Sequence, residues 1–256
     1  DSQKLEYWNG SAWFQIHTFS SNLDGGARAV FHSGRLSSGN DKNNIDFVTI
    51  STAGNAIDFG DSTQSTESLN TSCVSSRTRG LYGGGYTHPT GHHDQIGFLT
   101  ISSTGNSADF GNLTQSRRGI LGVSNATRGV FCGGLSPTPR DTVDFITIAS
   151  TGDARDYGDL KTTSSNCSGN AANPIRGLCF GGNPTLNVDD VQYVTIPTLG
   201  NSSTFGDLLS NQGNRGACSN SIRAIHSYEG SLDYVTIATT GDAVDFGDYL
   251  NDAAYK

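Results

Sequence analysis

The sequence contains no methionine, only 6 prolines and 5 cysteines among its 256 residues, and no long apolar run. Without a stretch of about 18 apolar residues, or a basic segment leading into an apolar one at the start, we expect neither membrane insertion nor an intact signal peptide. Because translation starts at methionine, its absence predicts that the chain is part of a larger or processed protein.

Basic residues are also scarce, since 16 lysines and arginines stand against 24 aspartates and glutamates, giving a net charge of -8. A protein that binds duplex nucleic acid needs a basic face to displace counterions from the phosphates. Composition therefore predicts that nucleic acid is not a partner. Hydrophobic content is low at 34%, but 9% aromatic residues and a regular Val/Ile/Phe pattern predict a folded core rather than disorder.

The five cysteines do not form a recognisable framework. Their number is odd, and the CxxC and Cys/His spacings of zinc sites are missing. We expect small, buried, free thiols. A disulfide between Cys167 and Cys179 is the alternative in an oxidising compartment.

Glycine, by contrast, is abundant at 33 residues, and much of it belongs to an internal repeat. One 19-residue pattern occurs five times, at 45–63, 96–114, 143–161, 191–209 and 232–250. An arginine followed by a small and an aliphatic residue precedes each copy. The period of about 41 to 51 residues lies in the range of kelch and other propeller repeats. The repeated arginines are Arg28, Arg79, Arg128, Arg176 and Arg223.

Each repeat predicts four short antiparallel strands. In the third strand Phe47 and Thr49 point one way while Val48 and Ile50 point the other, so both faces carry apolar side chains and must pack between two other sheets. Radial stacking of four-stranded blades satisfies this requirement. We therefore predict an all-β fold with a β-hairpin or connector at 1–16 and a five-bladed β-propeller at 17–256. The predicted blades are 17–64, 65–115, 116–162, 163–210 and 211–250.

These motifs resemble known repeats. The Arg-Gly-Val-Phe-Cys-Gly-Gly stretch at 128–134, followed by an aromatic third strand, is similar to a divergent kelch-type blade. Segment 144–160 resembles tandem repeats of virion proteins of tailed bacteriophages, notably marine cyanophages. The Tyr-Trp-Asn-Gly-Ser-Ala-Trp segment at 7–13 is similar to hairpins of phage tail and fibre proteins. The resemblance implies a tail-fibre or other virion surface protein, located on the outside of the particle.

Several residues recur once per repeat. A catalytic site is singular, so we interpret the recurring arginines and aspartates as structural, paired with each other or bonded to backbone amides at blade corners. The fourth-strand position is Thr204 in one repeat, and the aspartates are Asp58, Asp109, Asp156 and Asp245. The first strands offer hydroxyls, thiols and amides instead of the converging carboxylates that a glycosidase needs. The axis that they line is predicted to hold water, with a small polar ligand as the alternative.

The loops between the second and third strands vary most, because the distance from the repeat arginine to the repeat threonine ranges from 13 to 21 residues. Variable loops of a repeat array gather on one face, often the binding face. One loop contains an aromatic residue and three histidines. We interpret it as an exposed polar loop, and a transition-metal site is the alternative. Its tyrosine and histidine pair could also stack on a sugar. The candidate binding residues are Tyr86, His88, His92, His93, Asp94, Arg140 and Asn183.

The sequence therefore predicts a non-enzymatic virion surface module, a tail fibre, decoration or host-attachment protein, with no cofactor and no structural metal. Its partners would be other virion proteins and a host cell-surface glycan or receptor, bound weakly and in many copies, with an oligomeric state on the particle. A free five-bladed lectin is the alternative. A glycosidase or oxidase on a propeller is the third possibility.

Overall fold

The structure is a computed structural model that describes residues 6–8, 11, 13–15, 28–35, 41–66, 72–182, 189–211, 216–228 and 230–249. These residues form strands, turns and irregular segments without any helix, so the predicted all-β class is confirmed for them. No helix in this part of the chain is long and apolar enough to cross a membrane. An N-terminal hairpin pairs β1 (Glu6–Trp8) with β2 (Trp13–Gln15).

Five antiparallel sheets follow one another along the chain. Sheet 1 contains β3 (Arg28–Arg35), β4 (Asp41–Thr49) and β5 (Ile57–Thr66). Sheet 2 contains β6 (Ser72–Ser75), β7 (Arg79–Gly83), β10 (Gln95–Thr100) and β11 (Ala108–Asn112), and its loop forms a small sheet of β8 (Tyr86–Thr87) and β9 (Gly91–His92). Sheet 3 contains β12 (Leu121–Ser124), β13 (Arg128–Cys132), β14 (Arg140–Thr147) and β15 (Arg155–Ser164). Sheet 4 contains β16 (Ser168–Ala172), β17 (Arg176–Phe180), β18 (Asp190–Thr195) and β19 (Ser203–Asp207). Sheet 5 contains β20 (Ala217–Ser219), β21 (Arg223–Tyr228), β22 (Ser231–Thr236) and β23 (Val244–Asp248).

Sheets 2 to 5 have the predicted four antiparallel strands, each pairing with the next in the sequence. The first strand predicted for the first repeat lies outside the described residues. In every sheet the pairing of the third and fourth strands shifts register, as between Val143 and Asp144. The bulge allows the Asp-Phe-Gly run of the fourth strand to turn toward the next sheet.

The core lies between the sheets rather than inside one of them. Four clusters of buried apolar residues occupy the four contacts between consecutive sheets. Between sheets 1 and 2, for example, Phe47 and Phe59 pack with Leu99. Burial of a large apolar side chain contributes about 1.5–3 kcal/mol, so these contacts are the main source of stability. Each sheet is thin, which explains the low apolar fraction of the sequence.

Two of the five cysteines belong to this core. None of the five cysteines, all of which the structure describes, forms a disulfide. Cys132 and Cys179 are buried between sheets 3 and 4, whereas Cys73 and Cys218 are exposed, which corrects the expectation of burial for those two. Hydrogen bonding to neighbouring thiols, together with burial, raises the pKa of Cys179.

The sheets are joined by the same polar contacts each time. We call the face of a sheet that contacts the following sheet its trailing face, and the face that contacts the preceding sheet its leading face. Between sheets 2 and 3, the Gly152 amide donates to the Phe110 carbonyl at 2.7 Å and the Ala154 amide to the Asn112 carbonyl at 2.8 Å. The Asn112 amide donates to Asp153 Oδ1 at 2.9 Å. The other junctions join Phe59 and Asp61 to 105–107, Tyr157 and Asp159 to 200–202, and Phe205 and Asp207 to 241–243.

These contacts cover the fourth-strand edges of sheets 1 to 4. The fourth strand is an edge strand whose outer amides and carbonyls would otherwise be free to pair with another chain. The turn of the following sheet occupies that edge at all four junctions. Close approach requires glycine: a Cβ on Gly111, at φ +146°, would lie 2.5 Å from the carbonyl carbon and oxygen of Gly152.

The repeat arginines lie at the same junctions. Arg128 stacks over the Phe145 ring, with 4.8 Å from Cζ to the ring centroid, and its Nη1 donates to the Ile196 carbonyl of sheet 4 at 2.9 Å. Arg28, Arg79 and Arg176 make the equivalent pair of contacts. Arg223 in sheet 5 stacks on Tyr234, but within the described residues its guanidinium has no hydrogen bond to a carbonyl of another sheet.

Arg128→Met is expected to lower the free energy of unfolding by about 2–4 kcal/mol, because it removes a cation–π contact and a hydrogen bond from a charged donor. The matched variant Arg223→Met loses stacking alone, so we expect a cost of about 1 kcal/mol or less. Urea unfolding of both variants followed by circular dichroism measures the difference. Equal costs would show that the carbonyl contact contributes nothing.

Candidate binding surface

The loop between the second and third strands of sheet 2 forms an ordered hairpin. Tyr86 pairs with His92 and Thr87 with Gly91 across β8 and β9. The rings of Tyr86 and His92 meet edge to face with centroids 5.3 Å apart, and His93 Nε2 lies 2.7 Å from Thr87 Oγ1. This predicted binding loop is therefore a built structure and presents an aromatic ring beside two imidazoles.

Backbone contacts fix the hairpin from both sides. The amide of His93 donates to the Gly85 carbonyl at 3.0 Å, and its own carbonyl accepts from the Arg117 amide at 2.9 Å. The amide of His88, at the tip, donates to Asp41 Oδ2 of sheet 1 at 2.8 Å. The hairpin therefore depends on contacts with sheet 1 and with the segment that leads into sheet 3.

Arg118 connects this hairpin to the loop of sheet 3. Its guanidinium lies over the Tyr86 ring, 4.7 Å from the centroid, and its backbone exchanges two hydrogen bonds with Leu135 at 2.7 and 3.1 Å. In that second loop, Arg140 Nε donates to the Ser136 carbonyl at 3.0 Å. We name the resulting patch the loop-end surface, and its members are Tyr86, His88, His92, His93, Arg118 and Arg140.

The electrostatics of the loop-end surface favour a neutral imidazole beside a cation. Burial, followed by the charges of Arg118 and His93, lowers the pKa of His92. A neutral imidazole has one donor and one acceptor nitrogen, while the guanidinium offers donors in a planar fork. Together with the Tyr86 ring, these groups can stack on an apolar ring face and hydrogen-bond hydroxyl or carbonyl oxygens.

The remaining predicted residues are placed as follows. Asp94 follows the hairpin, and its carbonyl accepts from the Leu113 amide at 2.7 Å. Asn183 lies outside the described residues, so its position relative to the loop-end surface is not assigned. Among the described residues, no group of three or more His, Cys, Asp or Glu side chains is arranged to hold a metal ion.

The repeat aspartates are all exposed, and the structure does not bring them together with the repeat arginines. Asp245 Oδ1 accepts from the Gly247 amide at 3.1 Å, which is the carboxylate-to-amide contact predicted for a blade corner. Asp109 Oδ1 accepts instead from Gln95 Nε2 at 3.3 Å. Asp58 and Asp156 occupy the same position in sheets 1 and 3. A structural role for the whole set stays a prediction.

The first strands of sheets 2 to 5 converge, and their hydroxyl groups are engaged with each other's backbones. Ser124 Oγ donates to the Ser75 carbonyl at 3.0 Å, and Ser219 Oγ donates to the Ala172 carbonyl at 3.0 Å. These four residues line one cleft. The same four residues and His32 of sheet 1 line a cavity of about 470 Å³. Burial lowers the pKa of His32 to about 4.

Sequence reasoning missed two functional or structural residues of this region, Arg117 and Arg118. Arg117 is fully buried, and its Nη2 lies 2.8 Å from Oδ2 of the equally buried Asp144. Neither arginine belongs to the repeat pattern, and their adjacency is the signal that could have marked them. Two consecutive arginines outside the repeat pattern indicate a local structural role that the other repeats do not share.

No protein-family model matches the chain, and no curated protein matches it.

Proposed function

We propose that the protein is a non-enzymatic surface protein of a tailed-phage virion, a tail fibre, decoration or host-attachment module that recognises a cell-surface glycan or protein. Its five sheets are the blades of one kelch-like propeller. Support for the propeller comes from the identical clamping of each sheet by the next and from the convergence of the first strands. Support for the virion location comes from the sequence resemblance of the repeats.

The loop-end surface is the observation that supports the proposed recognition. Tyr86 is half-buried and held between His92 and Arg118, so its ring is oriented before any ligand arrives. Preorganised aromatic and arginine groups supply much of the affinity of recognition surfaces. Of the equivalent loops that the structure describes in full, that of sheet 2 forms two short strands and that of sheet 3 forms a single bridge between Leu135 and Pro139.

Tyr86→Ala is expected to reduce binding of the fluorescently labelled chain to bacterial cells and to a printed glycan array about tenfold or more. Tyr86→Phe is the matched control, because it keeps the ring that stacks on a sugar and on Arg118 and is expected to bind within about threefold of the parent. Circular dichroism of both variants verifies folding.

The same measurement separates the alternatives. Failure of the parent chain to bind any cell or glycan, and to compete with phage adsorption, would contradict the proposed recognition. Sugar binding with several equivalent sites per chain that Tyr86→Ala leaves unchanged would instead support a propeller lectin.

A further inference from the structure

Three of the five cysteines meet between sheets 3 and 4. Cys132 lies on β13 of sheet 3, Cys179 lies on β17 of sheet 4, and Cys167 directly precedes β16 of sheet 4. Cys132 and Cys179 are buried in the apolar cluster of this junction, and Cys167 packs against it. Hydrogen bonds connect the Cys179 thiol with both of the others. The three thiols therefore form one cluster with Cys179 in the middle.

The contact between the two buried thiols has counterparts at other junctions. Each combines the fourth residue after one repeat arginine with the third residue after the next repeat arginine. Between sheets 1 and 2 these residues are His32 and Tyr82, whose rings stack with centroids 3.8 Å apart. Between sheets 4 and 5 they are Phe180 and His226, which stack at 5.5 Å. The stacking of the sheets therefore brings the two buried thiols together.

The third thiol joins them from the start of sheet 4. By strand pairing, Cys167 occupies the position that Ile120 has in sheet 3. Ile120 belongs to the same buried cluster as Phe131, which is the counterpart of Cys179. In sheet 4 both members of this apolar pair are replaced by cysteine, so two thiols meet where sheet 3 has two large side chains.

Cys167 is the reactive member of the cluster. It is partly exposed, whereas the other two thiols are buried. The hydrogen bond with Cys179 outweighs the opposing effect of burial and lowers the pKa of Cys167. Ser164, whose Oγ lies 3.0 Å from Cys167 Sγ, adds to this effect. Because the thiolate is the nucleophile, a dissolved reagent reacts first at Cys167.

We propose that Cys167 and Cys179 are a redox site, which a small-molecule disulfide converts into a reversible disulfide bond. The Cys167 thiolate attacks one sulfur of the reagent, forms a mixed disulfide and displaces one thiolate. The Cys179 thiol then loses its proton and attacks the Cys167 sulfur, which releases the second thiolate. The two protein thiols are together oxidised by two electrons, and the reagent is reduced to two thiols that take up both protons.

The bond fastens the segment that enters sheet 4 to the second strand of that sheet. The first strand pairs irregularly there, with a register shift between Ser168 and Ala171. A disulfide restricts the unfolded chain and so stabilises the folded one. Oxidation is therefore expected to raise the thermal midpoint of unfolding by about 5–10 °C. This inference concerns stability, goes beyond the proposed recognition of a host surface and does not depend on it.

The test incubates the reduced full chain with oxidised glutathione, blocks the remaining thiols with N-ethylmaleimide in urea and maps tryptic peptides by mass spectrometry. Cleavage after lysine and arginine places each of the five cysteines on a different peptide. We expect Cys167 and Cys179 to react together and to appear as a crosslink between peptides 162–176 and 177–215. Dithiothreitol should reverse both the crosslink and the rise of the thermal midpoint.

Three variants test the roles of the thiols, with circular dichroism to verify folding. Cys179→Ala should stop the reaction at the mixed disulfide of Cys167 with glutathione. Cys167→Ala should slow oxidation of Cys179 at least about tenfold, because burial keeps that thiol from the reagent. Cys218→Ala removes an exposed cysteine outside the cluster and should crosslink like the parent. An unreacted Cys167, a stable mixed disulfide in the parent, a crosslink through Cys132 or an unchanged thermal midpoint would each overturn the proposal.

Discussion

Asp144→Asn is expected to lower the free energy of unfolding by about 3–5 kcal/mol, because it leaves the Arg117 guanidinium as an uncompensated charge in the interior. Both side chains are fully buried, and their closest atoms are 2.8 Å apart. Asp144 also accepts from the Thr114 amide at 3.1 Å and from Thr114 Oγ1 at 2.6 Å. Asparagine keeps the shape and part of these hydrogen bonds, so the loss reports mainly on the charge. Urea unfolding followed by circular dichroism measures it.

The control is Asp46→Asn at the equivalent position of sheet 1, which is only partly buried. We expect a change within about 0.5 kcal/mol there. The double variant Arg117→Met, Asp144→Leu removes both charges and should recover much of the stability, since an apolar pair of similar volume can replace a buried ion pair. An Asp144→Asn variant as stable as the parent would show that the buried pair does not constrain the fold.

The strands could be predicted because the same sequence pattern occurs five times. Strand three is apolar on both faces in every copy, and only stacking between sheets buries both faces. The four clusters between consecutive sheets agree with that reasoning. The turn glycines were also predictable, since Gly152 adopts φ 149°, which other residues rarely occupy.

The partners of the recurring polar residues could not be predicted, because they come from another repeat. Arg79 donates to the Ile148 carbonyl, 69 residues away, and a carbonyl leaves no mark in a sequence. At the bulge of the third strand, different side chains accept a hydrogen bond from a backbone amide of the preceding sheet. Asp144 accepts a hydrogen bond from the Thr114 amide, and Gln192 accepts one from the Thr162 amide. In sheet 2 this position is a glycine, and the Tyr82 hydroxyl accepts from the Thr63 amide instead.

The loop-end surface was predicted in part. Tyr86 and the histidines stood out by composition, and the variable loop length directed attention to the loops that form this surface, although their role in binding stays a prediction. The contribution of Arg118 could not be foreseen, because it lies between two repeats and reaches the Tyr86 ring through the pairing of its backbone with Leu135. Contacts of this kind depend on the relative position of two sheets, which the pattern within one repeat does not contain.

Gly111→Ala is the second substitution with a large expected effect, about 2–6 kcal/mol lost from the free energy of unfolding. Part of the cost is backbone strain at φ +146°, of about 1–3 kcal/mol. The rest is overlap, since the new Cβ would lie 2.5 Å from the Gly152 carbonyl, and overpacking costs about 1–3 kcal/mol. Urea unfolding at low protein concentration measures the sum.

Gly247→Ala is the matched variant, because Gly247 has a similar φ of +139° but an added Cβ would meet no atom within 4 Å. In dilute solution it should therefore show the strain alone, about 1–3 kcal/mol. Equal losses of stability for the two variants in dilute solution would contradict the close approach between sheets 2 and 3.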